Sequence, residues 1–232
     1  MKLRTLILLV VGLLVVVGAG GYAAFKFFSP AERTLADMRK MPLVGLLIDD
    51  VPGAADRLRK AIEDERRQPT VSGPPRPQLV IAELRRDHIA PALRGADDAS
   101  AIAAMAARAA LVAHLEKTNL PACREFSLGG IQHVDRLDAE GQRLFNAVLK
   151  SLENAYRNSR ANGGKALPAP TAAQLGDWLR EAGFQKVDFD RLNSFATLSN
   201  GVSCEIELKV NQLPPKLPPE KQGPFSRFVI AN

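Results

Sequence analysis

The sequence has few of the residues that most often carry chemistry. Two cysteines and three histidines occur among 232 residues, and aromatic residues make up 6% of the chain. His88, His114 and His133 have no metal-ligand spacing such as H-x-x-x-H or H-E-x-x-H. No serine lies in a G-x-S-x-G motif, and the pairs Gly129-Gly130 and Gly163-Gly164 do not precede the Lys-Ser/Thr of a phosphate-binding loop. We therefore predict no catalytic residue, no metal site and no cofactor, which favours a protein that is not an enzyme without excluding one.

The basic charge is too dispersed to indicate a nucleic-acid surface. The formal net charge is +6, but Lys2, Arg4 and Lys26 flank an N-terminal apolar run, and the rest of the chain has 28 basic against 25 acidic residues. Nucleic-acid binding requires a concentrated positive surface, with stacking aromatic residues where the target is single-stranded. The sequence therefore predicts that nucleic acid is not a partner.

A long uncharged run dominates the N-terminus. Residues 5–25 consist mostly of Leu, Val, Ile, Gly and Ala. As a helix they would be about 31 Å long, close to the thickness of the hydrocarbon core of a bilayer. Phe27 and Phe28 extend the apolar character beyond Lys26, which suits an anchor and is not needed by a cleaved signal peptide. We predict a single-pass transmembrane signal-anchor helix over residues 1–28. Cleavage near Gly20, giving a secreted protein, is the alternative.

The cysteines and the short N-terminal flank favour an exported domain. Counting Lys and Arg on each side of the span favours a cytoplasmic domain by the positive-inside rule. However, a four-residue flank resembles an export signal, and long domains translocate largely regardless of charge. Cys123 and Cys204 both follow the span, and an even pair in an exported domain is usually a disulfide. We predict a periplasmic or extracellular domain with a structural Cys123–Cys204 disulfide; two separate buried thiols are the alternative.

Proline and glycine divide the rest of the chain into segments. Ser29 and Pro30 predict a helix start, and four prolines within residues 68–77 exclude a regular helix there. The run from Pro214 to Pro224 predicts a polyproline II linker, with a peptide-ligand motif as the alternative. The predicted divisions are membrane-proximal helices and a Pro-rich linker over 29–77, a helical core domain over 78–213 and a Pro-rich tail over 214–232.

The core domain is predicted to be bundle-like. Residues 78–93 and 97–118 form two predicted helices joined by a short turn, and nine of the fifteen residues over 99–113 are alanine. So many small side chains allow a neighbouring helix to approach closely. Asp138 and Thr171 predict the caps of two further helices. Residues 119–137 are expected to be irregular.

One C-terminal segment has two interpretations. Apolar and polar residues alternate strictly over 202–211, which is typical of a half-buried strand. No partner strand of similar quality is visible, although a strand must pair its backbone groups. Read as a helix, the segment would need burial on two sides. The predicted fold class is therefore mainly α, with this segment either a short β element or a helix.

These features predict the location of the protein in the cell but do not define its activity. We expect an envelope protein–protein interaction or scaffolding module that contacts the membrane through its N-terminal helix and binds a protein partner. The alternative is a binding module for an apolar small molecule or lipid between helices. A large dry cavity lined by Leu, Val and Ala would favour the second function, and a flat exposed apolar patch would favour the first.

Overall fold

The structure, a computed structural model, describes residues 29–131 and 133–232. This part of the chain is mainly helical and contains no strand, so the predicted mainly α class is confirmed. The membrane helix predicted over residues 1–28 lies outside the described residues. The helices are α1 (Pro30–Arg39), α2 (Val44–Asp50), α3 (Ala54–Arg67), α4 (Arg76–Leu84), α5 (Ala90–Leu93), α6 (Asp98–Thr118), α7 (Leu120–Ser127), α8 (Ala139–Ala161), α9 (Ala172–Glu181), α10 (Lys186–Asn193), α11 (Asn200–Asn211) and α12 (Pro219–Ile230).

The first three helices pack against one another. The Ser29 hydroxyl accepts a hydrogen bond from an amide in the first turn of α1, and Pro30 begins the helix, as predicted. Between α1 and α2 the chain turns sharply at Leu43, which has φ of 64°. The Val44 amide donates to the Pro42 carbonyl across this turn, with N and O 2.7 Å apart. Leu43 is 4% exposed, so burial of its side chain offsets the cost of this backbone conformation.

Helix α6 is the centre of the fold, and α7, α8, α11 and α12 all pack against it. Asp97 caps it as predicted, with its carboxylate 2.7 Å from the amide nitrogen of Ser100. The buried residues of α6 are Ala101, Ala104, Met105, Leu111, Val112 and Leu115. The alanine side chains of α6 are small, so neighbouring helices can approach its backbone closely on several sides.

Among the described helices, α6 alone is long and apolar enough to cross a membrane by length and composition. Its apolar character can be explained without a membrane, because its buried residues belong to the hydrophobic core between four neighbouring helices. The composition of α6 therefore reflects burial in the protein and does not by itself place the helix in a membrane.

The alternating segment over 202–211 lies in helix α11, so its interpretation as a strand is wrong. Cys204 and Ile206 are 0% and 1% exposed, and the helix contacts α6, α7 and α10. A helix covered on several sides carries apolar residues outside a single stripe. In this sequence the additional apolar positions produced a period of two, which mimics a half-buried strand.

The expectation of an irregular segment over 119–137 is also wrong in part, because α7 lies within it. The Asn119 side chain accepts a hydrogen bond from the amide of Ala122, with O and N 3.1 Å apart. Pro121 occupies the first turn of α7, where its missing N–H has no helical partner to lose. These residues form a helix start that the sequence pattern had concealed.

The Pro-rich tail is not an extended polyproline II linker. Pro219 starts α12, which packs against α6. Phe225 and Ile230 are buried, so the tail contributes side chains to the core. Proline in a first helical turn is compatible with helix formation, so Pro219 marks the start of a helix, and Pro224 lies inside that helix.

The three segments predicted after residue 28 share one hydrophobic core. Buried residues from 29–77, 78–213 and 214–232 all belong to the same cluster. The boundaries at residues 77/78 and 213/214 stay predictions. The segments on both sides of each boundary contribute side chains to the same hydrophobic core.

Candidate functional site

The two cysteines lie at disulfide distance, as predicted. The Cα atoms of Cys123 and Cys204 are 5.8 Å apart, and both side chains are buried. The pair joins α7 to α11, two helices that also pack against α6. Because both sulfur atoms are inaccessible to solvent, the geometry fits a structural role.

The histidines do not converge on one site. Among the described residues, no group of three or more His, Cys, Asp or Glu could hold a metal ion. The Nε2 atom of His114 lies 2.8 Å from the carboxylate of Asp138, the N-cap of α8. Hydrogen bonds from the amide of Gly141 and from His114 lower the pKa of Asp138. This pair connects α6 to the start of α8, which is a structural role.

A cleft of about 310 Å³ lies between the segment around α5 and the C-terminal end of α12. Three arginines line it: Arg85, Arg86 and Arg94. The apolar residues of its wall are Ala82, Ala90, Pro91, Leu93, Ile230 and Ala231. Cationic and apolar groups therefore face the same space, which we call the arginine cleft.

A π turn shapes one wall of the arginine cleft. Pro91 has no N–H to donate to the carbonyl of Asp87, and in an α-helix its ring would clash with that carbonyl. The chain forms a π turn over Arg85–Ile89, in which the amide of Ala90 donates to the Arg85 carbonyl, five residues back. The position of Pro91 thus accounts for the wider turn immediately before α5.

The π turn also changes the direction in which the arginines project. In a continuous α-helix, Arg85 and Arg94 would lie about 180° apart around the axis, at about 100° per residue. A π turn takes up one residue more than an α turn, which leaves them about 80° apart. Both side chains consequently line the same cleft.

Arg85 is a half-buried cation without a carboxylate at ion-pair distance in the described part of the chain. Its Nη1 atom donates to the carbonyl oxygen of Gly129 over 3.1 Å. Burial lowers the pKa of Arg85, and the nearby charge of Arg108 lowers it further. These surroundings disfavour the isolated cation, so an anion placed beside it would be stabilising.

The other two arginines of the cleft differ in their partners. Arg86 donates to the carboxylate of Asp87, with Nε and Oδ1 2.8 Å apart. This hydrogen bond raises the pKa of Arg86 and lowers that of Asp87. Arg94 is exposed, and no described carboxylate lies within ion-pair distance of it. The cleft therefore presents two uncompensated positive charges, on Arg85 and Arg94.

The arginine next to the cleft is compensated by a carboxylate. Arg108 on α6 donates to Glu207 over 2.8 Å and to the amide oxygen of Asn211 over 2.9 Å, which connects α6 to α11. The side chains of Arg108 and Glu207 are only 14% and 12% exposed. The guanidinium carbon also lies 4.9 Å from the centroid of the Phe126 ring. These contacts fix Arg108 in place, and its charge is matched by Glu207.

Helix α12 supplies one side of the apolar wall of the cleft and is held against the start of α6. Arg227 is 8% exposed and forms an ion pair with Asp98. A Cβ atom at Gly223 would overlap the carboxyl group of Asp98, so only glycine permits this close approach. The contact positions the end of α12, where Ile230 and Ala231 face the cleft.

Sequence analysis missed the arginine cleft. The segment 78–93 was interpreted for helix packing alone, and Gly129 only as part of a glycine pair that did not match a phosphate loop. Pro91 lies five and six positions after Arg86 and Arg85 within a helical pattern. This spacing is a weak signal for a π turn that carries cationic side chains. No sequence signal places residues 230–232 beside residues 82–94, because a polyproline II tail is not expected to pack against the core.

Comparison with protein-family models, with curated proteins and with solved structures finds no match to this chain.

Proposed function

We propose that this protein is an interaction module of the cell envelope, anchored by its N-terminal helix, and that its helical domain recruits another protein at the arginine cleft. The observation that carries the proposal is the pair of uncompensated guanidinium groups, Arg85 and Arg94, in a cleft with an apolar wall. Arginine beside apolar surface is enriched at the centres of protein interfaces.

The proposed location has two supports. The uncharged run over residues 5–25 is long enough to anchor the chain in a bilayer. The buried pair Cys123 and Cys204 lies at disulfide distance, and disulfides persist in oxidising compartments outside the cytoplasm. Together they support a domain on the periplasmic or extracellular side of the membrane.

The alternative function, binding of an apolar small molecule or lipid between helices, stays a prediction with less support. Its natural site would be a dry cavity with an apolar lining. The arginine cleft instead is open to solvent and combines cationic with apolar groups.

Site-specific photocrosslinking in native membranes tests the proposal. A benzophenone amino acid replaces Ala90, which lines the cleft, in the complete chain; the matched control places it at Lys150, an exposed residue of α8. We expect a discrete protein adduct from position 90 and none from position 150. The adduct should disappear when Arg85→Ala and Arg94→Ala are combined.

Two results would overturn the proposed function. The first is an adduct at position 90 that contains lipid only, or no adduct at all. The second is a protein adduct whose yield does not depend on Arg85 and Arg94, since such contact would be incidental to the cleft. A measurement of helical content by circular dichroism on each variant shows whether the fold is retained.

A further inference from the structure

We propose that the arginine cleft binds an acidic polypeptide segment in extended conformation, with two carboxylates about four residues apart and an aliphatic side chain between them. This inference rests on the proposed function, because it names the chemistry of the partner at the same cleft. It follows from the number, the spacing and the surroundings of the unpaired charges.

The number of charges favours two anionic groups. Arg86 is paired with Asp87, and Arg108 is paired with Glu207, so these pairs contribute little net charge. Arg85 and Arg94 remain without a described carboxylate partner. Two guanidinium groups are matched by two carboxylates, each able to accept a bidentate pair of hydrogen bonds.

The spacing favours an extended occupant. Arg94 lies nine positions after Arg85, and the π turn takes up one of them, so the rise along the helix axis is roughly 12 Å at 1.5 Å per residue. An extended chain covers the same distance in about four residues at 3.3 Å each. Because the two side chains also project about 80° apart, separate carboxylates suit them better than one compact anion does.

The wall between the arginines favours an apolar side chain in the partner. Pro91, Leu93 and Ile230 face the cleft together with several alanines. The cleft is open to solvent, and its volume of about 310 Å³ accommodates an aliphatic side chain. A leucine-sized group would displace water from this wall.

Peptide binding to the complete chain in zwitterionic detergent tests the inference. The probe is a fluorescent peptide, Ser-Glu-Ala-Leu-Ala-Glu-Ser, and one control has glutamine for both glutamates. A second control has the same composition with the two glutamates adjacent. We expect the probe to bind at least tenfold more tightly than the glutamine peptide and several-fold more tightly than the adjacent-glutamate peptide. Raising the salt concentration should weaken binding, because exposed charges are screened.

Variants of the protein identify the groups responsible. Arg85→Gln is expected to lower affinity for the probe about tenfold, since its charge is half-buried, and Arg94→Gln about threefold. Arg160→Gln is the matched control: an exposed arginine of α8 outside the cleft, whose loss changes the net charge equally. It should leave affinity unchanged.

Charge reversal separates recognition from unfolding. The double variant Arg85→Glu and Arg94→Glu should lose the acidic probe and gain binding to the same peptide with lysine for both glutamates. An unfolded variant could not gain specific binding, so this result would support the inference independently of stability.

The outcomes also separate this inference from the proposed function. Equal binding of the glutamate and glutamine peptides, or failure of charge reversal, would overturn the acidic-segment inference, while a protein adduct at position 90 would still support protein recruitment. Displacement of the probe by dihexanoyl-phosphatidylglycerol at lower concentration than by unlabelled probe would identify a lipid headgroup as the occupant and contradict the inference. Absence of a protein adduct in membranes would defeat the proposed function itself.

Discussion

Cys123 on α7 and Cys204 on α11 are separated by 81 residues in sequence and by 5.8 Å between their Cα atoms. Both helices pack against the central helix α6. The sequence of α11 is the one that alternates like a strand. A covalent bond here closes a loop with a sequence separation of 81 residues and so removes conformations from the unfolded chain. The pair is therefore expected to contribute more to stability than to any chemistry.

Removing the disulfide should destabilise the fold measurably. Closing a loop of this length is worth about 4.5 kcal/mol in the chain-entropy model, and measured values are commonly lower, about 2–4 kcal/mol. We expect the double variant Cys123→Ala and Cys204→Ala to lower the free energy of unfolding by an amount in that range, measured in urea. Adding a reductant to the unfolding buffer should lower the stability of the native chain and leave that of the variant unchanged. Two titratable thiols in protein isolated under oxidising conditions would contradict the prediction.

Gly223 should tolerate no side chain, whereas Gly201 should tolerate one. In the variant Gly223→Ala, the added methyl group meets the carboxyl group of Asp98 and disturbs its ion pair with Arg227. We expect a loss of about 1–3 kcal/mol in the free energy of unfolding, the usual cost of overpacking. Gly201→Ala is the matched control, since no atom lies within 4 Å of the added methyl group and the residue is in α11.

The control variant should be neutral or stabilising by up to about 1 kcal/mol, because alanine has the higher helix propensity. Chemical denaturation of both variants and the native protein provides the measurement. Equal effects of the two substitutions would show that the close approach of α12 to α6 is wrong.

The part-buried ion pair of Arg108 and Glu207 should be costly to break on one side only. Arg108→Met leaves the carboxylate of Glu207 with 12% exposure and no cation, which typically costs about 3–5 kcal/mol. Replacing both residues with methionine should recover most of this loss, because a well-packed apolar pair avoids the desolvation of two charges. A double-mutant cycle by urea unfolding measures both effects. A single variant as stable as the native protein would refute the burial of this pair.

Glu65 is expected to order the Pro-rich loop that follows α3. Its carboxylate accepts hydrogen bonds from the amides of Thr70 and Arg76, over 2.6 Å and 2.9 Å, and from the Thr70 hydroxyl over 2.8 Å. The two amides are the main cause that lowers the pKa of Glu65 from 4.5 to about 2, followed by the hydroxyl. The carboxylate therefore joins both ends of the loop.

The pH dependence of this contribution follows from the direction of the shift. The pKa is lower in the folded state, so the stabilisation is fully present above pH 4.5 and is lost as the pH falls toward 2. Glu65→Gln should lower the urea midpoint at pH 6 and increase proteolysis of residues 68–75, with the difference from native protein shrinking in acid. Glu63→Gln, whose pairing with Arg67 is at the surface, is the control. A midpoint difference that does not depend on pH would be inconsistent with an ionised Glu65 in the folded loop.

Local sequence signals predicted the helices that start at a cap. Ser29, Asp97, Asp138 and Thr171 each accept a backbone amide where the sequence analysis placed a helix start. A capping interaction spans three residues and needs no partner from elsewhere in the chain. For the same reason Asn119 and Pro219 were readable in principle, but the neighbouring prolines and glycines favoured an irregular segment and a linker.

The sequence-based predictions failed where the structure of a segment depends on its burial in the fold and not on local backbone geometry. Segment 202–211 alternates because α11 is covered on several sides, and a helix of that kind has no single apolar stripe. The arginine cleft was invisible for a related reason. Its walls come from residues 82–94, residue 129 and residues 230–232, which are distant in sequence. The uncompensated state of Arg85 depends on which carboxylates the fold brings near it.

By itself, the sequence determined the mainly helical class and the helix starts capped by Ser29, Asp97, Asp138 and Thr171, and it predicted that Cys123 and Cys204 lie within disulfide distance. These follow from backbone hydrogen bonding within a few residues, from apolar periodicity and from there being two cysteines to pair. Only the tertiary structure decided that the Pro-rich tail is a core helix, that α6 is enclosed by four neighbours and that two arginines share a cleft without a carboxylate. Those properties depend on distances between residues remote in the chain, which are set when the apolar surfaces of separate helices are buried together.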